Sequence, residues 1–456
     1  MTSPSAGAAR PEPVTLATVY RTWWPLAASW LMMGLELPAV SAVLARLPAP
    51  TISLAAYGGV VFPLALLIES PIIMMLSAST ALSRDWPSYR LVRRAMFTMA
   101  GALTALHAAA AFTPLYDLVV ARALGIPADI LEPARLGLQI MTPWTFAIAY
   151  RRTQQGVLIR FGKTWAVGVG TGIRLGANVA VLALGYLHGG LPGIAVGTLA
   201  VIAGVVGEAV FAGFAVHPVL RDRVRPAAPD GEPLTLARFV RFYTPLALTP
   251  LMGFFAMPIA SAAMTRMPRT LESLAAWPVV NGLTFTLRSV GFALNEVVVS
   301  LLERPGAAAP LRRFAFGLAG STSALLLVVA VSPLGPLWFG RVSALPPALT
   351  ALAVATLAIA CPLPGLNALQ SWYQGVLVHS RHTRGVSESM AVYLVVMVAV
   401  LAAGVAAGRV PGLYFTMLGM VVAGAAQVEW LRRRAAAPLR RGSDAGAATG
   451  PAARTA

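Results

Sequence analysis

Residues 20–57 read YRTWWPLAASWLMMGLELPAVSAVLARLPAPTISLAAY, and residues 240–277 read VRFYTPLALTPLMGFFAMPIASAAMTRMPRTLESLAAW. The second copy follows the first at a constant offset of 220, as from Arg21 to Arg241, and about fifteen positions are identical. Both copies lie in apolar stretches too long for an ordinary buried helix. A duplicated membrane unit is typical of transporters, because two similar halves can rock about a central site.

The composition is that of a membrane protein. The chain of 456 residues is 57% hydrophobic and 11% charged, with a mean hydropathy of +0.72, whereas soluble domains carry about 25% charged residues. Its apolar runs are long enough to cross a bilayer core of about 30 Å. They predict twelve transmembrane helices, at about 20–45, 52–82, 93–113, 134–158, 164–187, 192–218, 238–265, 272–302, 312–333, 346–378, 386–407 and 411–431. We therefore expect an all-α integral membrane fold.

The duplication extends over six of these spans. The run Gln155 to Leu158 returns as Gln374 to Leu377, so the second part of the unit repeats at an offset of 219. Six spans are an even number, so both copies face the same way, related by an axis along the membrane normal. The predicted organisation is a cytoplasmic N-terminal segment 1–16, a six-helix bundle 17–218, a cytoplasmic linker 219–235, a second six-helix bundle 236–434 and a disordered basic tail 435–456.

The net charge of +18 is distributed as an orientation signal. Arginines concentrate in the termini and in alternate loops, which is the pattern of the positive-inside rule. With an N-terminus that shows no signal peptide, this pattern places both termini in the cytoplasm and the protein in the cytoplasmic membrane. The same basicity attracts anionic lipid, so the lipid bilayer is the expected partner and nucleic acid is excluded.

Prolines interrupt several predicted spans. Pro38 and Pro258 occupy equivalent positions of the two copies, and so do Pro143 and Pro362. A proline inside a helix frees a backbone carbonyl and bends the helix. Packing kinks are common in membrane helices, but a kink present in both copies favours a shared hinge or a cavity-lining bend.

Some charged residues lie within the predicted spans away from the loops, where each costs about 2.5–3.5 kcal/mol to insert. They are Glu36, Glu69, Arg174, Glu208, Arg288 and Glu296. None is duplicated: the second copy has Ala256, Ser289, Tyr393 and Gln427 in place of Glu36, Glu69, Arg174 and Glu208, and Arg288 corresponds to Ile68. The scaffold was copied, and the ionisable positions diverged.

Glu69 and Arg288 are the predicted polar anchors of a substrate or coupling-ion site, supported by Arg174 and Glu208. A buried carboxylate such as Glu69 or Glu208 can carry a coupling proton, and an arginine can hold an anionic substrate group. Asn281 and Asn367 are expected to add hydrogen bonds in a central cavity. The alternative is that these residues form structural ion pairs and polar contacts that hold helices together.

Enzyme chemistry finds no support in this sequence. It has no phosphate loop, nucleophile elbow or acid pair in a soluble loop. Its histidines are scattered, and the single Cys361 excludes an intrachain disulfide. We predict a protein that is not an enzyme and needs no metal or cofactor.

Short motifs resemble the multidrug/oligosaccharidyl-lipid/polysaccharide exporter superfamily, and within it bacterial relatives of the progressive ankylosis family. They are Leu54 to Gly58, Leu103 to Tyr116 around His107, Gln155 to Arg160 and Tyr243 to Leu248. The resemblance implies a V-shaped, MATE-like pair of six-helix bundles around a central cavity, switching between inward-open and outward-open states. Members of the ankylosis family are associated with export of organic anions such as nucleotides, citrate or pyrophosphate. Other relatives in the superfamily expel cationic drugs on proton or sodium gradients, or flip lipid-linked sugars.

We therefore expect a monomeric exporter of a small solute, with an organic anion as the favoured substrate. Export is expected to be either secondary-active, with H⁺ or Na⁺ as the coupling ion, or facilitated. The alternatives are a flippase for a lipid-linked saccharide, a cationic drug/proton antiporter, and a membrane scaffold that does not transport.

Overall fold

The computed structural model describes residues 14–228, 232–304, 306–380, 382 and 384–448, with side chains as far as Leu439 except that of Thr249. Most of the predicted N-terminal segment, part of the predicted linker and residues 449–456 of the predicted tail lie outside the described residues. No strand occurs in the part of the chain that is described.

Ten helices form the first half. They are α1 Leu16–Gly34, α2 Glu36–Leu44, α3 Pro50–Ala56, α4 Phe62–Glu69, α5 Met75–Leu82, α6 Trp86–Phe112, α7 Ala128–Ile140, α8 Trp144–Arg160, α9 Trp165–His188 and α10 Gly193–Val219. Shorter helical turns join some of them: a π-helical turn at Tyr57–Val61, a 3₁₀ turn at Ser70–Ile72, and π-helical turns at Asp117–Ala123 and Leu220–Val224.

Eight helices form the second half. They are α11 Leu236–Met264, α12 Thr270–Leu301, α13 Ala308–Val331, α14 Leu334–Leu337, α15 Pro347–Ala360, α16 Leu363–His379, α17 Arg384–Ala407 and α18 Gly412–Ala448. A π-helical turn, Trp338–Val342, lies between α14 and α15.

The all-helical membrane fold is confirmed. Ten helical stretches are long and apolar enough to cross a membrane: Leu16–Leu44, Pro50–Leu82, Trp86–Phe112, Trp165–His188, Gly193–Val224, Leu236–Met264, Ala308–Val331, Pro347–His379, Arg384–Ala407 and Gly412–Leu439. The predicted spans 134–158 and 272–302 are also helical, in α7 with α8 and in α12, but lie outside that set. The count of twelve spans stays a prediction.

The two pairs of duplicated prolines differ in their structural setting. Pro143 and Pro362 are the N-cap residues of α8 and α16, so both halves break the chain at the same place. Pro38 lies in α2, just after the break at Leu35, whereas Pro258 lies within the uninterrupted helix α11. The first predicted bend is therefore not shared in the same form.

The last helix continues into the segment predicted as a disordered tail. Helix α18 extends to Ala448, so residues 435–448 of the predicted tail are helical. Alanine is the strongest helix former, and six of these fourteen residues are alanine. Its composition therefore allows it to extend the preceding helix.

The two halves meet at residues that are each other's equivalents. A Cβ atom on Gly58 would lie 2.4 Å from the ring of Pro278, the residue at the same position of the second copy. Glycine is needed here because any side chain would collide with that ring. This contact marks where the pseudo-two-fold axis passes between the halves.

The first helix of each half also contacts the other half. In α1, the Trp23 indole Nε1 donates to the Val290 carbonyl at 2.9 Å. In α11, the Tyr243 hydroxyl donates to the Pro71 carbonyl at 2.6 Å. Both contacts lie towards the side of the molecule where the described chain begins, and there Val14, Ala307 and Ala435 share one apolar core. We call this the terminal side.

Two arginines join the halves on the opposite side. The Arg46 guanidinium donates from Nη2 to the Arg341 carbonyl at 2.7 Å. Its equivalent, Arg266, donates to the Ala123 carbonyl at 3.0 Å and to the Leu124 carbonyl at 3.3 Å. Because each arginine binds a π-helical turn or its end in the other half, the two form a symmetric pair of cross-links, which we call the arginine latch.

Candidate functional site

The first half contains an ion cluster whose outer part is built on α2 and α9. Arg174 donates to Glu36 with two nitrogens, from Nε at 3.3 Å and from Nη2 at 2.5 Å. Asn178, one turn further along α9, donates to the same carboxylate at 3.2 Å. A bidentate pair of this kind is among the stronger charge-assisted contacts. The charges of Glu36 and Arg174 therefore compensate each other.

The inner part of the cluster joins α8 to α10. Arg151 forms a salt bridge with Glu208, and Gln155 donates to the second carboxylate oxygen at 2.9 Å. Both charged residues are almost completely enclosed, with 4% of Arg151 and 1% of Glu208 exposed. The two partners compensate each other's loss of hydration. The buried charges of this pair are therefore balanced within the protein.

Glu69 completes the cluster at the end of α4. It is 4% exposed, and its Oε2 atom has no hydrogen-bond partner among the described residues. Arg151 and Arg152 of α8 act on it electrostatically, and no salt bridge joins either arginine to Glu69 in the described chain. With three carboxylates and three guanidiniums, the cluster is formally neutral, and Glu69 is its least satisfied carboxylate.

Glycines make room for these side chains. A Cβ atom on Gly204 would lie 2.8 Å from the Arg174 carbonyl oxygen, and one on Gly170 would lie 3.2 Å from Cγ of Glu208. Helices α9 and α10 can therefore approach closely around the ions. Gly170 and Gly204 are therefore explained by the packing of the ion cluster.

The second half contains a cavity of about 390 Å³. Helices α11, α12, α16, α17 and α18 line it together with Met74 of the first half, and ten of its 22 lining residues are aromatic or methionine. Its polar lining consists of Asn281, Arg288, Asn367, Gln370, Tyr393 and Gln427. Arg288 is the sole charged residue in this lining, and no carboxylate of the described chain lines the cavity.

This cavity occupies the place that the ion cluster occupies in the first half. Four residues of the cluster have their equivalents in the cavity wall at the repeat offsets of 220 and 219. The pairs are Glu36 with Ala256, Arg151 with Gln370, Arg174 with Tyr393 and Glu208 with Gln427. The second half has thus replaced charges with smaller or neutral groups, and space remains where the first half holds ions.

Two polar atoms of the cavity residues have no partner in the described chain. They are Nε of Arg288 and Oδ1 of Asn367, both inaccessible to solvent. Arg288 also forms no salt bridge with any described acidic group. Since a partly buried guanidinium without a counter-ion is costly, Arg288 offers strong donors to an anionic group, with amides beside it and aromatic and thioether surface around it.

The structure divides the predicted site residues between these two places. Arg288, Asn281 and Asn367 line the same cavity in the second half. Glu69 lies in the ion cluster and not in the cavity wall. Arg174 and Glu208 lie there too, each already held by an opposite charge, which is the arrangement of structural ion pairs.

Arg151 and Arg152 were not among the predicted site residues, and the structure places Arg151 in the ion cluster. A signal was available, because both arginines fall inside the predicted span 134–158. Glu296 is exposed at the side of α12, and His107 is buried with its Nε2 3.0 Å from the Leu138 carbonyl. The described residues contain no group of three or more metal-ligating side chains.

Comparisons with known proteins support the fold. No family model matches this chain, and no curated protein matches it. Among solved structures, the chain is similar to an inward-facing multidrug resistance MATE family transporter of the MOP superfamily, with a TM-score of 0.66 at 15% identity. The match covers 91% of this chain and 99% of that one.

Two further structures share the fold. The lipid II flippase MurJ in an inward closed conformation has a TM-score of 0.67 at 12% identity, over 93% of this chain and 90% of that one. A MOP superfamily transporter from Pyrococcus furiosus, described as having a binding pocket of reverse polarity, has a TM-score of 0.58 at 16% identity. That match covers 94% of this chain and 99% of the other. The chain therefore has the MATE-like exporter fold, as the resemblance of its short motifs implied.

Proposed function

We propose that this protein is a membrane transporter that moves a small organic anion by alternating access between its two halves. One observation carries the proposal: Arg288 is the sole charged group lining the 390 Å³ cavity and has no described counter-ion. An anionic substrate would supply the missing charge and accept hydrogen bonds. The fold shared with transporters supports the alternating-access part.

We further propose that Glu69 is the coupling site for a proton. Its unpartnered Oε2 distinguishes it from Glu36 and Glu208, whose oxygens are held by arginine and amide donors. Adding a proton to Glu69 would leave the cluster with a net positive charge and would weaken its attraction to Arg152. Protonation would therefore change the packing of α4 against α8, next to the interface between the halves.

The test is transport by purified protein in proteoliposomes. A panel of labelled organic anions and cationic dyes is offered with and without an imposed pH gradient. We expect uptake of at least one anion, its loss in Arg288→Ala and its partial recovery in Arg288→Lys, which restores the charge. Uptake of cationic dyes alone, unaffected by Arg288→Ala, would contradict the proposal and support a drug/proton antiporter.

A flippase for a lipid-linked saccharide is the second candidate. The likeness to MurJ over 93% of the chain favours it, and a pyrophosphate-linked lipid would also require a cationic contact such as Arg288. Exposure of a fluorescent lipid-linked disaccharide to an outside reagent in the same proteoliposomes separates the two candidates.

A further inference from the structure

A basic groove lies on the terminal side of the second half, away from the central cavity. Helices α13, α16 and α18 form it, with a volume of about 390 Å³. Arg312 and Arg313 come from α13, Arg432 comes from α18, and Trp372 with Tyr373 form the wall on α16. None of these residues contributes to the ion cluster or to the cavity around Arg288.

The charges of this groove are not balanced within the described chain. Arg432 is held by Glu429, with Nε to Oε2 at 2.7 Å and Nη2 to Oε1 at 3.0 Å. Arg433 binds the same carboxylate at 2.7 Å, so Glu429 is already shared by two cations. Arg312 and Arg313 have no salt bridge to any acidic group that the structure describes. The groove therefore has an excess of positive charge facing outward.

A buried donor also lacks an acceptor here. Trp372 is 1% exposed, and its indole Nε1 has no hydrogen-bond partner in the described residues. A buried N–H without an acceptor costs free energy. Tryptophan and tyrosine beside arginines are typical of the region where lipid head groups meet hydrocarbon.

An apolar furrow continues from the groove along the same two helices. It is lined on α13 by Ala319, Ala324 and Leu327, and on α16 by Leu369. Ala319 lies three residues beyond Phe316 of the groove wall, and Leu369 lies three residues before Trp372. Groove and furrow thus occupy successive turns of α13 and α16. A lipid with its phosphate at the arginines would have an acyl chain in the furrow.

The first half offers an internal control for this surface. Arg93 and Arg94 are the equivalents of Arg312 and Arg313 at the offset of 219, and they also stand at the start of a span. The third arginine and the aromatic wall are missing, because Gly213 stands in place of Arg432, and Thr153 in place of Trp372. The arginine pair was duplicated, and the complete groove was not.

We propose that this groove binds an anionic phospholipid, with the phosphate on Arg312, Arg313 and Arg432 and one acyl chain in the furrow between α13 and α16. Charge complementarity and the continuity of the basic groove with an apolar furrow select a lipid over a soluble phosphate. Basic pockets between membrane helices on the side of the membrane that carries anionic lipid bind such head groups.

Native mass spectrometry of the full chain in detergent tests the proposal. The protein is titrated with dioleoyl phosphatidylglycerol, with dioleoyl phosphatidylcholine and with glycerol phosphate, which carries the head-group chemistry without acyl chains. We expect one phosphatidylglycerol to bind at least tenfold more tightly than phosphatidylcholine. In Arg312→Gln/Arg313→Gln this preference is lost, whereas in the matched control Arg93→Gln/Arg94→Gln it is kept.

A second variant tests the furrow without touching the charges. Ala324 is exposed on the furrow wall, so Ala324→Trp fills the furrow while leaving the core intact. We expect it to weaken phosphatidylglycerol binding severalfold while leaving any glycerol phosphate binding unchanged. Equal loss in the Arg93/Arg94 control, no preference for the anionic lipid, or full competition by glycerol phosphate would each overturn the proposal.

Discussion

The ion cluster and the cavity are the same location in two copies of one unit. In the first half, Arg151 and Glu208 fill that location with a buried salt bridge, and in the second half Gln370 and Gln427 leave it open. Three cations meet three carboxylates on one side, while Arg288 stands without a described counter-ion on the other. A duplicated scaffold can therefore hold the permanent ion cluster in one copy and a cavity that could bind an external ion in the other.

The largest expected effect on stability comes from removing one charge of the ion cluster. Arg151→Met leaves Glu208 buried without its main partner, and removing one member of a buried pair costs about 3–5 kcal/mol. We expect a clear fall in melting temperature in detergent, with recovery in Arg151→Met/Glu208→Met. The matched control is Gln370→Met at the equivalent position of the second half, which should melt like the wild type. A wild-type melting curve for Arg151→Met would contradict the comparison.

Removing the charge from the cavity should affect binding and leave stability alone. Arg288→Met removes charge-assisted hydrogen bonds worth about 1.5–3 kcal/mol, which is about a tenfold to hundredfold loss of affinity for the transported anion. The measurement is equilibrium binding of the best anion from the transport panel, paired with a melting curve. If Arg288→Met instead lowered the melting temperature as much as Arg151→Met, Arg288 would have a structural role like that of Arg151, and the comparison between cavity and ion cluster would fail.

Glu69 is the point where the ion cluster could respond to protons. Glu69→Gln keeps the shape and removes the titratable group, so an imposed gradient of one pH unit, worth about 1.4 kcal/mol per proton, should no longer drive uptake. Exchange of labelled for unlabelled anion without a gradient should persist. Uptake by Glu69→Gln that still follows the pH gradient would exclude Glu69 as the coupling site.

The smallest expected effect concerns the arginine latch. Each guanidinium–carbonyl contact should contribute about 1 kcal/mol to the state in which the halves meet on the side opposite the termini. Arg46→Ala and Arg266→Ala should each widen that side, and the double variant should add the two shifts. Spin labels at exposed equivalent positions, Asp129→Cys and Ala348→Cys in a Cys361→Ala background, report the distance between the halves. An unchanged distance distribution in the double variant would show that the latch is not needed for closure.

The repeat made most of the fold predictable. Apolar length identified the helical spans, and the equivalent residues Pro143 and Pro362 stand at a helix boundary in both halves. The differing helices at Pro38 and Pro258 were not predictable, because proline bends a helix or ends it depending on the packing around the freed carbonyl. Helix α18 likewise extends into a segment whose composition alone suggested disorder.

The candidate site was predictable only in part. Buried charge pointed to Arg288, and the asymmetry between copies indicated that the charges mattered. The sequence could not show that Arg174 forms an ion pair with Glu36. Which residues of different spans become partners depends on how the helices are arranged in three dimensions. Arg151 was missed because an arginine near a predicted span end fits the positive-inside pattern as well as it fits a buried pair.

The contact between Gly58 and Pro278 carries a consequence for the history of the chain. A residue on a two-fold axis faces its own copy, so in a dimer of identical halves one residue type would have met itself at this point. Two prolines would collide there, and two glycines would leave a gap. Once both copies were joined in a single chain, a small residue could be matched with a bulky one. The two halves therefore differ at this contact, and a larger residue at position 58 would require a smaller one at position 278.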